Sequence, residues 1–563
     1  MSEASGESLA RAPQTPEDAQ FNALADDRFA TIMDRHPAFG SYLGLHEYDA
    51  RLADGSRAAI LDEIAETRAF LTGLEALDET RLTPYFRVER ELLLLATRRQ
   101  LFDDEVHRVW ERRVSATDEI GDGIFLLFAR TTRPLVERLP AIASRLEAAP
   151  EHIEQQKTRF GQRPPLRLWN EMEIEAAGSL PLLFAEVAAA ARRELGDDHA
   201  AVARVEKAGT AATEALESYS AWLRDQLGHS DDDFALGSSE YDELIRLRAF
   251  DGLSTDDILE IGEQQLAANR QARREVAAEI DASASEEEVV DRVKSDHPPD
   301  FQAALAAYRQ AMDEARQFVI DHDLASMPSG ESLAVIETPE YLRKVLPFAA
   351  YFPPPKFETG HEHEGIYIVT PSVDGNGSAL REHNYASIYN TGIHEAYPGH
   401  HQQLVVANEH PSKLRVLVDA PEFVEGWAMY CELMMREEGF DTEPTHLLAM
   451  HTDAIWRACR IILDIKLHRR QIGVEEAIEF LVAQTGFERP NAAAEVKRYT
   501  HTPTYQLSYL LGRVLLLRLR DDERRRLGDR FALRDFHDAL LRQGSIPVSF
   551  QRRLLAEPSA GSS

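Results

Sequence analysis

The sequence predicts a mostly α protein: a large multi-helix body enclosing a cleft, with a small β-sheet beside the helix that carries His394. Three observations predict it. Apolar residues recur every three and four positions through most of the 563 residues. That pattern stops at about 325, where turn residues and short β-branched runs take over. It resumes at about 383 and continues almost to the end.

Residues 1–20 are acidic, small and Pro-containing. With neither a basic start nor an apolar core they do not read as a signal peptide, and a disordered tail is expected. Phe21, Leu24, Ala25, Phe29, Ile32 and Met33 then mark a first helix that Pro37 ends. Further helices are expected at 57–75, 81–112, 131–147, 168–192, 198–227, 255–280 and 301–321. Asp231 to Gly237 and Ser283 to Asp300 read as loops or short polar helices. An N-terminal helical region thus spans 21–325. A second region, 326–555, packs with it into one body, and 556–563 forms a second tail.

Pro328-Ser329-Gly330 is a turn signal, and Leu333 to Thr338 reads as a short strand. Phe348 to Phe352 precedes three prolines, and residues before Pro avoid the helical region, so it should be extended. Gly365 to Thr370 is the best strand, with β-branched and aromatic residues ahead of Pro371. Helices follow at 383–406, 421–437, 443–470, 475–485, 503–526 and 531–544.

The formal charge of −34 argues against nucleic acid or an anionic membrane as partner, because both repel such a surface. No window approaches 18 apolar residues, so no membrane-spanning helix is expected. Two cysteines make no disulfide framework, and a cytoplasmic location is the default. Of the 62 basic residues only 8 are Lys, a bias that a GC-rich genome or adaptation to salt would each produce.

The chemistry concentrates in His394-Glu395-Ala396-Tyr397-Pro398-Gly399-His400-His401. A His followed by Glu, with a second His one turn later, is a common zinc-hydrolase arrangement: the imidazoles bind the metal and the Glu takes a proton from water. The usual spacing is four, whereas His394 and His400 are six apart, about 240° of helix rotation. His394 and His401 share a face but lie about 10 Å apart along the axis. A bulge at Pro398-Gly399 would return His400 to an effective spacing of four. About 25 residues on, Glu422, Glu425 and Glu432 fall on one helix face among Phe423, Val424, Trp427, Met429 and Tyr430. Carboxylates in such an apolar setting need a partner such as a metal.

These two stretches, His-Glu-x-x-Pro-Gly-His-His and Glu-Gly-Trp-Ala-x-Tyr-x-Glu, resemble a bacterial family named only as domain of unknown function 885. That family is similar to helical zinc peptidases such as thimet oligopeptidase and angiotensin-converting enzyme. The resemblance extends to Pro37 through His46, to Arg460, Asp464 and His468 at intervals of four, and to Pro503 with Ser508 through Arg513. One departure is Thr504-Tyr505, where the family often has Gly-Gln. The resemblance implies a zinc ion held by His394, His400 and Glu425, with Glu395 as general base. It implies Tyr509, with His468, as stabilisers of the oxyanion, and the 365–370 strand as a sheet edge that pairs with the substrate backbone. Tyr505 backs Tyr509 at the substrate, and Arg460, Arg498 or Arg513 is expected to bind a substrate carboxylate.

The sequence therefore predicts a zinc-dependent, peptidase-like hydrolase of short peptides. Two alternatives stand beside it: a zinc hydrolase of a non-peptide amide or ester, and a non-catalytic helical binding protein whose site Pro398 has spoiled.

Overall fold

The computed structural model describes residues 12–130, 132–161, 163–338, 349–361, 363–371 and 378–556. Helices dominate, and the described strands form one small sheet. The chain forms two compact units. One holds 12–234 with residue 338 and the 355–361 segment; the other holds 235–337, 349–354 and 363–556.

The first unit is built of helices, with one isolated bridge between Leu166 and Asp231. Its opening helix, Pro16–Arg35, begins inside the segment expected to be a tail. Thr15 and Asp18 close a reciprocal capping box there, and Pro16 supplies the first residue. Residues 1–11 and 557–563 lie outside the described residues. The helix expected at 168–192 is two, Arg167–Ser179 and Pro181–Leu195. Pro181 has no N–H to continue the first helix but is suited to start the second. By length and composition alone Arg167–Leu195 would suffice to cross a membrane, one 18-residue window in it having a mean hydropathy of 1.4, contrary to the expectation that no stretch would. Trp169, Leu183, Phe184 and Val187 are nevertheless buried in the unit's own core. Helices at Ala116–Ala129, Ser238–Arg248, Arg489–Tyr499 and Val548–Ala556 go beyond those the periodicity suggested.

The second unit carries the sheet and the two motif stretches at 394–401 and 422–432. Strands β1 (Ser332–Glu337), β2 (Ala349–Phe352) and β3 (Glu364–Val369) run in the order β1-β3-β2. β3 is parallel to β1, pairing Ile336 with Ile368, and antiparallel to β2, pairing Tyr351 with Tyr367. The best sequence strand is therefore central. Both of its hydrogen-bonding sides are taken by neighbours, so it cannot add a substrate strand, as an edge position would have allowed. This corrects the expectation drawn from the resemblance. A β-branched, aromatic run describes a well-packed strand, and a central strand packs better than an edge.

The His394 segment departs from the expected helix over 383–406. Asn384 caps a short helix, Tyr385–Thr391, by accepting from the Ser387 N–H at 2.9 Å. The chain then widens into a π-type turn, Gly392–Ala396, leaves the helix at Tyr397–Gly399, and starts a new helix at His400–Asn408. The predicted bulge within one helix is a break between two. Pro398 denies the helix a donor, and Gly399 lets the chain fold back on the preceding turn. A Cβ at 399 would lie 1.9 Å from the His394 carbonyl oxygen.

Beneath this segment runs the helix Pro421–Glu437, packed along Ser508–Leu527. The two cross at Gly426 and Gly512, so closely that a Cβ on Gly512 would meet the Glu422 carbonyl oxygen at 2.0 Å. Phe423, Trp427, Tyr430 and Met434 are buried with Leu510, Leu511 and Leu515 in the unit's main core. Burying a side chain of this size contributes about 2–3 kcal/mol.

Candidate metal centre

His394, His400 and Glu425 come together in the second unit, each offering one ligand atom within 4.8 Å of the others. His400 Nε2 lies 3.5 Å from Glu425 Oε2, and His394 Nε2 lies 3.8 Å from the same oxygen. The rings stand nearly perpendicular, 89°, with centroids 4.8 Å apart. A tetrahedral zinc with bonds of about 2 Å separates its ligands by about 3.3 Å, so these residues fit such an ion after small rotations. Side-chain exposures of 11–16% leave the three reachable but largely dry.

The helix break produces this geometry. The turn ending at Ala396 projects His394, and the helix restarting at His400 projects the second imidazole from a new axis. The break is held from below, where the Trp427 indole N–H donates to the Pro398 carbonyl at 2.8 Å. Seven residues separate Glu425 from Glu432, two turns on one helix face. The two carboxylates thus reach opposite nitrogens of His394, with Glu432 Oε1 2.7 Å from Nδ1. A carboxylate behind a ligand imidazole fixes its tautomer and orientation. Sequence reasoning placed Glu432 on the right face but gave it no role.

The electrostatics favour a cation. Burial alone would lower the His394 pKa. The hydrogen bond to Glu432 and the charges of Glu432, Glu395 and Glu425 overcome it and raise the value to about 9. Burial would raise the Glu425 carboxyl, but His400, His394 and Tyr509 hold it at about 2. Glu395 is half-buried beside His394 in the chain and makes no side-chain hydrogen bond to the described residues.

His401 is directed elsewhere. It is fully buried, with Nε2 3.1 Å from Glu331 Oε2 and Nδ1 3.0 Å from the Tyr351 hydroxyl. Both nitrogens are engaged, so His400, not His401, stands with His394.

Two tyrosines face Glu425 from the other side. The Tyr505 hydroxyl donates to Glu425 Oε1 at 3.4 Å and lies 3.4 Å from the Tyr509 hydroxyl. Burial pushes the Tyr509 phenol well up, keeping it a neutral donor. The close Gly426–Gly512 crossing is what lets Ser508–Leu527 bring Tyr509 over Glu425.

The remaining expected site residues are placed otherwise. His468 is buried against Tyr241, its ring stacked at 5.8 Å and its Nε2 3.0 Å from the Tyr499 carbonyl oxygen. Burial lowers it to about 4, so it is a neutral packing residue and not an oxyanion group. Asp464 accepts from the Tyr241 hydroxyl and the Thr504 N–H, each at 2.7 Å. Arg460 is bound to Glu495 at 2.9 Å and lies 4.7 Å over the Tyr509 ring. Arg498 bonds the same Glu495 and the Gln506 side chain. Arg513 is 5% exposed, in the field of Glu432. Of the arginines expected to bind a substrate carboxylate, Arg460 is buried and paired with Glu495, Arg513 is buried, and Arg498 is partly exposed but engaged by the same Glu495. The helical spacing was legible, and Glu495 is a local partner of Arg498 at i, i+3, but the carboxylate that Arg460 meets belongs to another helix.

Comparison with known proteins agrees with this fold. A solved structure from Shewanella oneidensis, described as a "putative lipoprotein of unknown function", superposes with a TM-score of 0.77 at 22% identity, covering 95% of this chain and 100% of that one. A similarly described lipoprotein from Colwellia psychrerythraea gives 0.81 at 18% identity, over 96% and 98%. No curated protein matches the chain. The lipoprotein descriptions of both relatives overturn the cytoplasmic location expected from cysteine usage, since two buried thiols are compatible with any compartment. Residues 37–555 match the model of one family, and the chain belongs to it: bacterial protein of unknown function (DUF885).

Proposed function

We propose that this protein is a zinc-dependent hydrolase that cleaves amide bonds of short peptides. The carrying observation is the convergence of His394, His400 and Glu425 with Glu432 behind His394. Zinc bound there would supply a Lewis acid and a water of lowered pKa. The chain's own groups do the rest. Glu432 keeps the His394 Nδ1 proton pointing away from the site, which leaves Nε2 free to ligate. Glu395 accepts a proton from the attacking water and delivers it to the leaving amine. Tyr509 donates to the substrate carbonyl oxygen as negative charge grows there, with Tyr505 holding the Glu425 carboxylate. The peptide substrate class rests on the resemblance to helical zinc peptidases. The two lipoprotein relatives support an exported or membrane-anchored setting for this chain too.

Elemental analysis should find one zinc per chain, lost in His394→Ala, His400→Ala and Glu425→Ala. Glu395→Gln should retain zinc and lose about 10²–10⁴-fold in turnover of a peptide library read by mass spectrometry. A zinc-loaded protein that leaves every peptide intact but hydrolyses esters would move the reading to a non-peptide substrate.

A further inference from the structure

The second unit holds a polar cluster that this mechanism does not use. Its centre is Glu331, just ahead of β1, with its side chain 2% exposed. The carboxylate takes three charged or polar partners. Oε2 accepts from the Tyr397 hydroxyl at 2.6 Å and lies 3.1 Å from His401 Nε2; Oε1 accepts from Arg316 Nε at 2.7 Å. Buried carboxylates survive only with such partners. Burial would raise Glu331, but His401, Tyr397 and Arg316 hold it ionised, at about 2.

The partners' positions give the cluster meaning. Tyr397 and His401 bracket Pro398, Gly399 and His400, the break that redirects the chain. One oxygen of Glu331 holds both ends of that five-residue segment. Tyr351 on β2 takes the far nitrogen of His401, which leaves that ring no freedom to swing. His400 stands between these anchors, with Nε2 turned to Glu425 and with no hydrogen-bond partner for Nδ1 among the described residues. His394 has Glu432 to orient it; His400 has no equivalent carboxylate. Its direction is set by the backbone on which it stands.

We propose that Glu331 is a positioning residue for the metal centre. By tying Tyr397 to His401 it holds the 397–401 segment in the shape that points His400 at Glu425 and His394. This rests on the reading of those three residues as a metal site.

The test titrates the full-length protein with zinc and, separately, with cobalt(II), whose visible spectrum reports ligand geometry. Glu331→Gln cannot accept from Tyr397, His401 and Arg316 together. It should weaken zinc binding about 10–100-fold, the usual cost of losing a group that orients a ligand, and should shift the cobalt bands. If that variant does not fold, Tyr397→Phe removes a single hydroxyl from the clamp and should move both readouts in the same direction by a smaller factor. A folded variant with wild-type zinc affinity and an unchanged cobalt spectrum would overturn the proposal. A wild-type protein that binds neither ion would overturn the metal-site reading instead.

Discussion

At the scale of single residues, the local environments assign distinct tasks to groups that look alike in sequence. Tyr509 is half-buried and neutral, lies beneath Arg460 and near Glu425, and points its hydroxyl toward Tyr505. In the proposed reaction a donor there would act mainly when charge develops on the substrate. Tyr509→Phe should lower kcat by about 10²-fold, roughly 2.7 kcal/mol, with KM and zinc content nearly unchanged. An unchanged kcat, with a melting loss only in Tyr509→Ala, would make it a packing residue. Asp464 behaves differently. Burial outweighs its hydrogen bonds and raises its carboxyl from the ordinary 3.8 to about 7. A raised acid means that the folded protein retains a proton the unfolded chain releases. The associated stability is fully present below about pH 4 and is lost as pH rises through about 7. Asp464→Asn keeps an acceptor for Thr504 and Tyr241 but cannot ionise. Relative to that variant, the wild type should lose on the order of a few kcal/mol between pH 4 and pH 8, as measured by urea unfolding. Parallel pH profiles for the two proteins would refute the assignment.

At the scale of elements, the site depends on one close helix crossing. Pro421–Glu437 supplies Glu425 and Glu432, and Ser508–Leu527 supplies Tyr509. They approach because neither Gly426 nor Gly512 has a side chain. Gly512→Ala would place a methyl 2.0 Å from the Glu422 carbonyl oxygen, so the helices must separate. Overpacking of this kind costs about 1–3 kcal/mol. We expect a lower melting temperature together with a fall in kcat, because Tyr509 moves with its helix. Differential scanning calorimetry alongside turnover checks this. A stable variant with reduced kcat would still support the geometry, whereas full stability with full activity would show that the crossing has slack.

At the scale of the whole molecule, charge dominates. The net −34 includes 96 acidic side chains, and many ion pairs lie at the surface, where each contributes little. Self-repulsion of the remaining charge opposes the compact state and is screened by salt. The melting temperature should therefore climb from low to molar KCl. A flat or falling curve would mean that the Arg-rich, Lys-poor composition has no bearing on salt.

The sequence alone determined what is local and periodic. The helices at 57–75, 198–227, 255–280, 301–321 and 421–437 follow from spacing and capping, and the structure has them within a residue or two. The histidines about a helix-breaking Pro-Gly and the carboxylate stripe that follows were legible, the choice of His400 and of Glu425 came with the family resemblance, and the structure brings these two together with His394. Only the tertiary structure decided which groups face one another. Arg460 and Arg513 occupy helical lines that read the same whether they face a substrate or Glu495 and Glu432. The best strand reads the same at an edge or at the centre, and only pairing with β1 and β2 places β3 in the middle. Glu331 precedes His401 by 70 residues and carries no motif. Its importance arises when packing brings its carboxylate under the break at Pro398. Periodicity is written along the chain, whereas a hydrogen bond between distant segments exists only after the chain has paid the entropy of bringing them together.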